Sequence, residues 1–198
     1  MGESDPMSAA PKLLAPVPED DATLVARAAA GDERAFTAIY RRYARYVAGV
    51  AFRLMGDESE LDDVVQETFV DAHEGLGRIR EGATLKGWLV TIAARKVARR
   101  IAKRQRQRWL TGWLGRTAAV SASPAVEGEA FALYQALAGI SPDKRIPWAL
   151  HAIEGLTLPE VAEATGTSLA TVKRRIAETN ALLEKRGHRI EIGGADER

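Results

Sequence analysis

The sequence predicts an all-α protein of two small helical domains joined by a flexible linker, and three observations predict it. Apolar residues recur at three- and four-residue steps in one segment after another, the period of a helix with one buried face. No stretch of the 198 residues alternates apolar and polar in the manner of a strand. Between 109 and 128 the helical period fades into a stretch holding Gly112, Gly115, Ser121, Ser123 and Pro124, the composition of a linker.

Residues 1–20 carry Pro6, Pro11, Pro16 and Pro18 among small and acidic residues and are predicted to be a disordered tail, with Met7 an alternative start. The first domain spans 21–108. Asp21 caps a short helix that Gly31 ends. Asp32 opens a longer one, in which Phe36, Ile39, Tyr40, Tyr43, Val47, Val50, Ala51 and Leu54 mark the apolar face up to Gly56. A third helix over 60–76 turns Leu61, Val64, Val65, Thr68, Phe69 and Ala72 inward and its acidic face outward. Residues 78–86, with Gly82, read as a loop. A fourth helix over 87–108 turns Trp88, Leu89, Ile92, Ala93, Val97 and Ile101 inward and presents a basic ladder outward. In the linker, Trp109, Leu110, Trp113 and Leu114 are too apolar for a plain spacer and are expected to pack on the first domain or on a partner. The second domain spans 129–186, with helices at 129–138, 142–153, 158–164 and 169–185, and a tail at 187–198. Pro147 lies inside the second of these, which predicts a kink or a late start.

The net charge of +1 conceals a polarised chain. No Lys or Arg falls between Arg53 and Arg78, a stretch with Asp57, Glu58, Glu60, Asp62, Asp63, Glu67, Asp71 and Glu74. From Gly82 to Val126 no acid occurs, while Lys86, Arg95, Lys96, Arg99, Arg100, Lys103, Arg104, Arg106, Arg108 and Arg116 do. Neighbouring blocks of opposite sign predict two partners, one basic and one polyanionic. With no cysteine and three scattered histidines, disulfides, thiolate sites and zinc centres are not expected, and no cofactor is implied. A cytoplasmic protein fits, and no apolar run approaches the roughly 20 residues of a bilayer span.

Three constellations carry function. In Leu156 to Ile176, Thr157 and Glu160 form a capping box, Pro159 sits in a first turn, Gly166 ends one helix and Ser168 caps the next. Two helices about a tight glycine turn make a helix-turn-helix, with Ser168, Thr171, Lys173, Arg174 and Arg175 toward DNA and Leu169, Val172 and Ile176 toward the core. The basic helix from Arg95 to Arg108 can neutralise successive phosphates, which gives affinity without reading sequence. Trp88 beside it could stack on a base, although its spacing with Leu89 and Ile92 favours the core. The acidic Asp63-Val64-Val65-Gln66-Glu67 is a docking face for a basic partner rather than an acid-base pair, because no nucleophile, histidine or metal set converges on it. No enzyme activity is expected.

From Asp21 to Lys185 the arrangement resembles a sigma factor of the extracytoplasmic-function (ECF) group. Ala29-Ala30-Gly31-Asp32, Ala35-Phe36 and Ile39-Tyr40-Arg41-Arg42-Tyr43 are similar to the start of that family's region two. Asp62-Asp63-Val64-Val65-Gln66-Glu67-Thr68-Phe69 is similar to its most diagnostic segment, and Leu85-Lys86-Gly87-Trp88-Leu89 with Ile92-Ala93 to the start of its promoter-melting helix. Ser168 to Ile176 matches the minus-thirty-five recognition helix of region four. The resemblance implies that Asp63, Gln66 and Glu67 bind the clamp helices of the polymerase's largest subunit. It implies that the 78–86 loop receives a flipped base of the minus-ten element, with Arg78, Arg80, Lys86, Arg95, Lys96, Arg99, Arg100, Lys103 and Arg104 along the strand. It also implies an anti-sigma partner. Where the family has Arg-Asn after the Ile-Ala step and an Asp four positions later, this chain has Ala94, Arg95 and Arg99.

The partners expected are therefore RNA polymerase core, promoter DNA and an anti-sigma factor, with no membrane insertion. The alternative is a free-standing helix-turn-helix regulator whose first domain senses a ligand or dimerises. A second rival is an adaptor that binds RNA or an acidic protein through the basic helix.

Overall fold

Most of the helices begin where a side chain or a proline relieves the unpaired backbone N–H groups of a first turn. In the computed structural model, which describes residues 19–79, 84–110 (side chains to Gln107), 136–137 and 139–187, Asp20 accepts from Thr23 N (2.7 Å) and starts α1 (Asp21–Ala29). The expected cap was Asp21. Asp21 instead stands in the first helical turn, where its carboxylate meets Arg42 at 2.6 Å and the Tyr43 hydroxyl. Asp32 caps α2 (Glu33–Met55), and Gly56 ends it at φ 79°, a conformation that favours glycine. α3 (Leu61–Gly75) runs into a 3₁₀ turn (Leu76–Arg78), and α4 spans Leu85–Leu110, two residues longer at each end than the sequence suggested.

In the second half, α5 (Pro142–Ala152) begins on a proline, which needs no N–H in the first turn. The late start expected from Pro147 does not occur. The helix runs through that residue, and Lys144 and Arg145 close their backbone bonds onto Ser141 O (3.0 and 2.9 Å). Thr157 and Glu160 make the reciprocal capping box of α6 (Leu158–Thr165), Gly166 turns at φ 64°, and Ser168 accepts from Thr171 N (3.2 Å) to open α7 (Leu169–Lys185). The helix expected at 129–138 lies mostly outside the described residues, of which Ala136 and Leu137 are helical. Residues 1–18 and 188–198, the 80–83 segment with Arg80 and Trp113 lie outside them too, whereas the backbone of Trp109 belongs to the last turn of α4, and Asp20, expected in the tail, is the cap of α1. All regular structure among the described residues is helical.

α1 lies on α2, and α2, α3 and α4 pack mutually around Leu24, Ile39, Val47, Phe69, Leu89 and Ile92. α5, α6 and α7 pack around Trp148, Leu150, Val161, Val172 and Leu183. The two halves are not separate cores. Val50, Leu54, Val64, Val90 and Val97 of the first join Ile146, Leu150, Leu156 and Val161 of the second in one apolar cluster, with α2 against α5 and α4 against α6.

Polar bolts cross this seam. The Glu154 carboxylate, with 3% of its side chain exposed, accepts from Arg53 Nε (3.0 Å) and from the Tyr46 hydroxyl. Burial, together with that carboxylate, pushes the Tyr46 phenol well above its ordinary value. Arg145, 6% exposed, donates to the last carbonyls of α2, Leu54 O (3.0 Å) and Met55 O (3.2 Å), where the helix dipole favours a cation. Burial pulls its pKa down, and no described residue hydrogen-bonds its Nε.

Trp148 is the largest fully buried side chain, and its Nε1 donates to Asn180 Oδ1 at 2.6 Å. Trp148→Ala should therefore cost about 3–5 kcal/mol of stability, read as a lowered urea midpoint.

Candidate nucleic-acid and partner interfaces

A helix repeats its outward direction about every four residues, so a run of basic residues one helix long divides into stripes. On α4 it divides into two. Lys96, Arg100 and Arg104 form one stripe, folded inward against α3 and the turn before it. Lys96 meets Asp71 (2.7 Å) and, at 4.0 Å, Glu67; Arg100 meets Glu60, Glu67 (2.6 Å) and, at 3.7 Å, Asp63; Arg104 meets Asp57 (2.7 Å) and Glu60 (2.8 Å). The basic ladder is thus not wholly an outer face. Three of its cations neutralise the acidic block beside it, because two helices packed side by side with opposite charges lower their energy by pairing.

These ion pairs set the carboxylates' titration. The Arg100 hydrogen bond holds Glu60 below its ordinary 4.5, burial opposing and Arg104 reinforcing it. Burial raises Asp57, but hydrogen bonds from Arg104 and Ser59 outweigh it and leave the net shift downward from 3.8.

The second stripe holds Arg95, Arg99 and Lys103. Arg99 and Lys103 are exposed, and Arg95 reaches across the seam to Glu163 of α6 at 2.6 Å. This stripe leads back to an open cleft of about 520 Å³ whose walls include Arg78, Thr84, Trp88, Arg95, Glu160 and Glu163. Trp88 is half-buried, so the core role expected for it is only half of what it does. One edge of the indole lies on Gly75, where an added Cβ would come within 3.0 Å of the ring; another edge lines the cleft. Arg78 is exposed at the cleft. Lys86 leaves it and sits over the Tyr46 ring, 4.5 Å from its centroid.

On the opposite flank of α3 lies a shallow apolar groove of about 660 Å³. Phe36, Tyr40, Val65, Phe69 and Val70 line it, with Asp62, Gln66, His73 and Glu74 at its edges. Phe69 meets Phe36 and Tyr40 edge to face, centroids 6.5 and 4.8 Å apart. Tyr40 is 44% and Val70 51% exposed, a large apolar surface to leave in water. Of the three residues assigned to partner docking, Gln66 belongs to this flank, while Glu67 and Asp63 lean toward Arg100. The sequence reading placed Tyr40 on the buried face and passed over Val70. The helical period alone does not reveal that no neighbouring helix covers this edge of α2.

α6, the Gly166 turn and α7 form the helix-turn-helix. Ser168, Lys173 and Arg174 are exposed, and Thr171 is half-exposed. Arg175 is partly covered, 3.8 Å from Asp143. Val172 and Ile176 are buried as expected, but Leu169 is 42% exposed. As the first residue of α7 its side chain leans over the capping turn instead of the core.

Among the described residues no grouping of three His, Asp or Glu could hold a metal ion, and no helix is long and apolar enough to cross a membrane.

Known proteins with the same pattern are transcription initiation factors. Residues 39–107 match the family model of Sigma-70 region 2, and residues 130–179 that of Sigma-70, region 4. The RNA polymerase sigma factor NccH of Alcaligenes xylosoxydans xylosoxydans is 31% identical over 174 residues, covering 84% of this chain and 94% of its own. The ECF RNA polymerase sigma factor SigM of Mycobacterium tuberculosis is 28% identical over 165 residues, 83% of each. The solved structure of CnrH in complex with the cytosolic domain of CnrY is similar in fold, with a TM-score of 0.57, 28% identity and coverage of 84% of this chain and 96% of that one.

The carboxylates of Asp57 and Glu60 have folded-state pKa values below their ordinary ones, so their stabilisation is complete above about pH 5 and lost as pH falls through the lowered values. Urea denaturation between pH 6 and pH 3 should show that fall, and Glu60→Gln should make it shallower while lowering stability at pH 6.

Proposed function

The chain belongs to the sigma-70 family and is an ECF-type RNA polymerase sigma factor that directs transcription initiation, and on that premise we propose how its surfaces divide the work. RNA polymerase core docks on the outer flank of α3, through Gln66 with Asp62 and the apolar groove of Tyr40, Phe69 and Val70. Asp63 and Glu67 serve there in part as partners of Arg100. A basic, amphipathic surface of the polymerase suits this groove, whose floor is apolar and whose edge is acidic.

Melted minus-ten DNA takes the cleft beside Trp88 and then follows the outer stripe of α4. Arg78, Arg95, Arg99 and Lys103 supply phosphate contacts, and Trp88 a stacking edge. Lys96, Arg100 and Arg104 keep α4 in place rather than touching the strand. The minus-thirty-five element is read as duplex by α7, with Lys173, Arg174 and Thr171 in the major groove, Ser168 at the helix start and Arg175 toward the backbone. The observation that carries the reading is the stripe of Arg95, Arg99 and Lys103 leading from the Trp88 cleft, with Arg99 and Lys103 exposed. The chain contributes binding and not a reaction, works in the cytoplasm where polymerase and promoter are, and is restrained by an anti-sigma factor. A free-standing helix-turn-helix regulator is not favoured, since both halves match sigma-70 regions.

Run-off transcription with core polymerase on a promoter library tests this directly. Promoter-specific transcripts should appear with the factor and vanish without it; DNA binding that ignores core polymerase would overturn the reading. Arg174→Ala should cost about 1–3 kcal/mol of promoter affinity at one upstream position. Lys103→Ala should weaken binding to all sequences alike and reduce the salt slope by about one. Gln66→Lys should lower affinity for core polymerase about tenfold in a titration while leaving thermal stability unchanged.

A further inference from the structure

A side chain on an α-helix tilts toward the N-terminus, and a recognition helix enters the major groove with its N-terminal residues foremost. On α7 the foremost residue is Leu169, 42% exposed, and Ala170 beside it is exposed as well. The packing of the second half does not call for an apolar side chain there. Val172, Ile176 and Leu183 already supply the buried face of the helix, and Leu169 lies off it.

Two further observations narrow what Leu169 meets. α1, α2, α3, α5 and α6 each carry an Asp or Glu in the first turn, whereas α4 and α7, the two helices assigned to promoter DNA, carry none. No carboxylate of that turn therefore repels a phosphate backbone, and Lys173 and Arg174, exposed one turn further on, attract it. This charge pattern fits a nucleic acid in front of Leu169 better than a protein surface. The polar groups of the same turn are already in use. Ser168 Oγ accepts from Thr171 N at 3.2 Å and shares a hydrogen bond with Thr171 Oγ1 at 2.9 Å. With both hydroxyls engaged in the cap, the leading turn offers a base edge chiefly hydrocarbon.

In the major groove thymine is the base that presents hydrocarbon, through its C5-methyl group. We infer that Leu169 is a specificity-determining residue of the minus-thirty-five contact, packing its side chain on the methyl group of a thymine. One A·T pair is then read by burial, beside whatever Lys173 and Arg174 read by hydrogen bonding. The inference rests on the reading of α7 as the duplex-recognition helix.

The test removes that methyl group and nothing else. Core polymerase loaded with the full chain is titrated with a duplex promoter recovered from the run-off library, and each thymine of its upstream element is replaced in turn by deoxyuridine. Deoxyuridine pairs with adenine as thymine does and lacks only the methyl. At one position the replacement should weaken binding about fourfold, the effect of one buried methyl-sized group. Leu169→Ala should weaken binding to the thymine promoter by a similar factor and make that deoxyuridine silent. Circular dichroism and an unchanged Tm confirm that the variant is folded.

An upstream element with no A·T pair, or one in which no deoxyuridine weakens binding, overturns the inference. A deoxyuridine effect that persists in full in Leu169→Ala also overturns it, because another side chain then holds the methyl. So does a loss of affinity for core polymerase in that variant without DNA, which assigns Leu169 to a protein surface. Arg174→Ala keeps the underlying reading separate. If it leaves upstream binding unchanged, the reading of α7 fails; if it weakens binding while every deoxyuridine is silent, only the methyl contact fails.

Discussion

The helix α4 must satisfy charge on one side and apolar packing on the other, and the rest of the molecule is arranged around that requirement. Its apolar residues, Leu89, Val90, Ala93, Ala94 and Val97, are buried almost completely, while Lys96, Arg100 and Arg104 lie along the adjoining edge. Three cations at the border of a core would be costly without partners. Asp57, Glu60, Glu67 and Asp71 supply them, and in doing so fix the register of α3 on α4. Exposed ion pairs contribute little singly, but this is a network with partly covered guanidinium groups and shared carboxylates, and its members hold one another in place.

One consequence concerns which charges are left for binding. A helix whose cations all faced water would offer a polyanion a broad, undirected surface. Committing every fourth residue to α3 leaves the Arg95, Arg99 and Lys103 stripe, a narrow track that starts at the Trp88 cleft. The acidic helix is affected in the same way. With Glu67 and Asp63 turned toward α4, what remains for a protein partner is Gln66, Asp62 and an apolar groove, a surface that binds by burial as well as by charge. Directional recognition of a strand and of a protein on adjoining faces of one small bundle depends on this internal neutralisation.

The contact between the two halves follows a different rule. Its apolar part could hold many partners, but its polar part is specific: a nearly buried carboxylate between a tyrosine and an arginine, and a nearly buried arginine on the end of a helix. Such groups are expensive to bury alone and stable only when matched, so they favour one docking over others and make its loss abrupt.

The sequence by itself determined the helices, most of their caps and the helix-turn-helix, because these depend on residues within a few positions of one another: Asp32 and Gly56 bounding α2, Thr157 with Glu160, Gly166 and Ser168 in turn. It also determined the family, through local motifs that extend over both halves. Tertiary structure decided which charges are used up inside the fold, that Tyr40 and Val70 are left uncovered, that Leu169 points away from the core, and that Glu154 and Arg145 lock the halves together. Periodicity says which face of a helix is apolar, but not which neighbour covers it. Charge blocks say that a partner of opposite sign is needed, but not that it stands 25 to 47 residues away in the same chain. Those outcomes depend on contacts between distant segments, whose pairing is settled only when the helices pack.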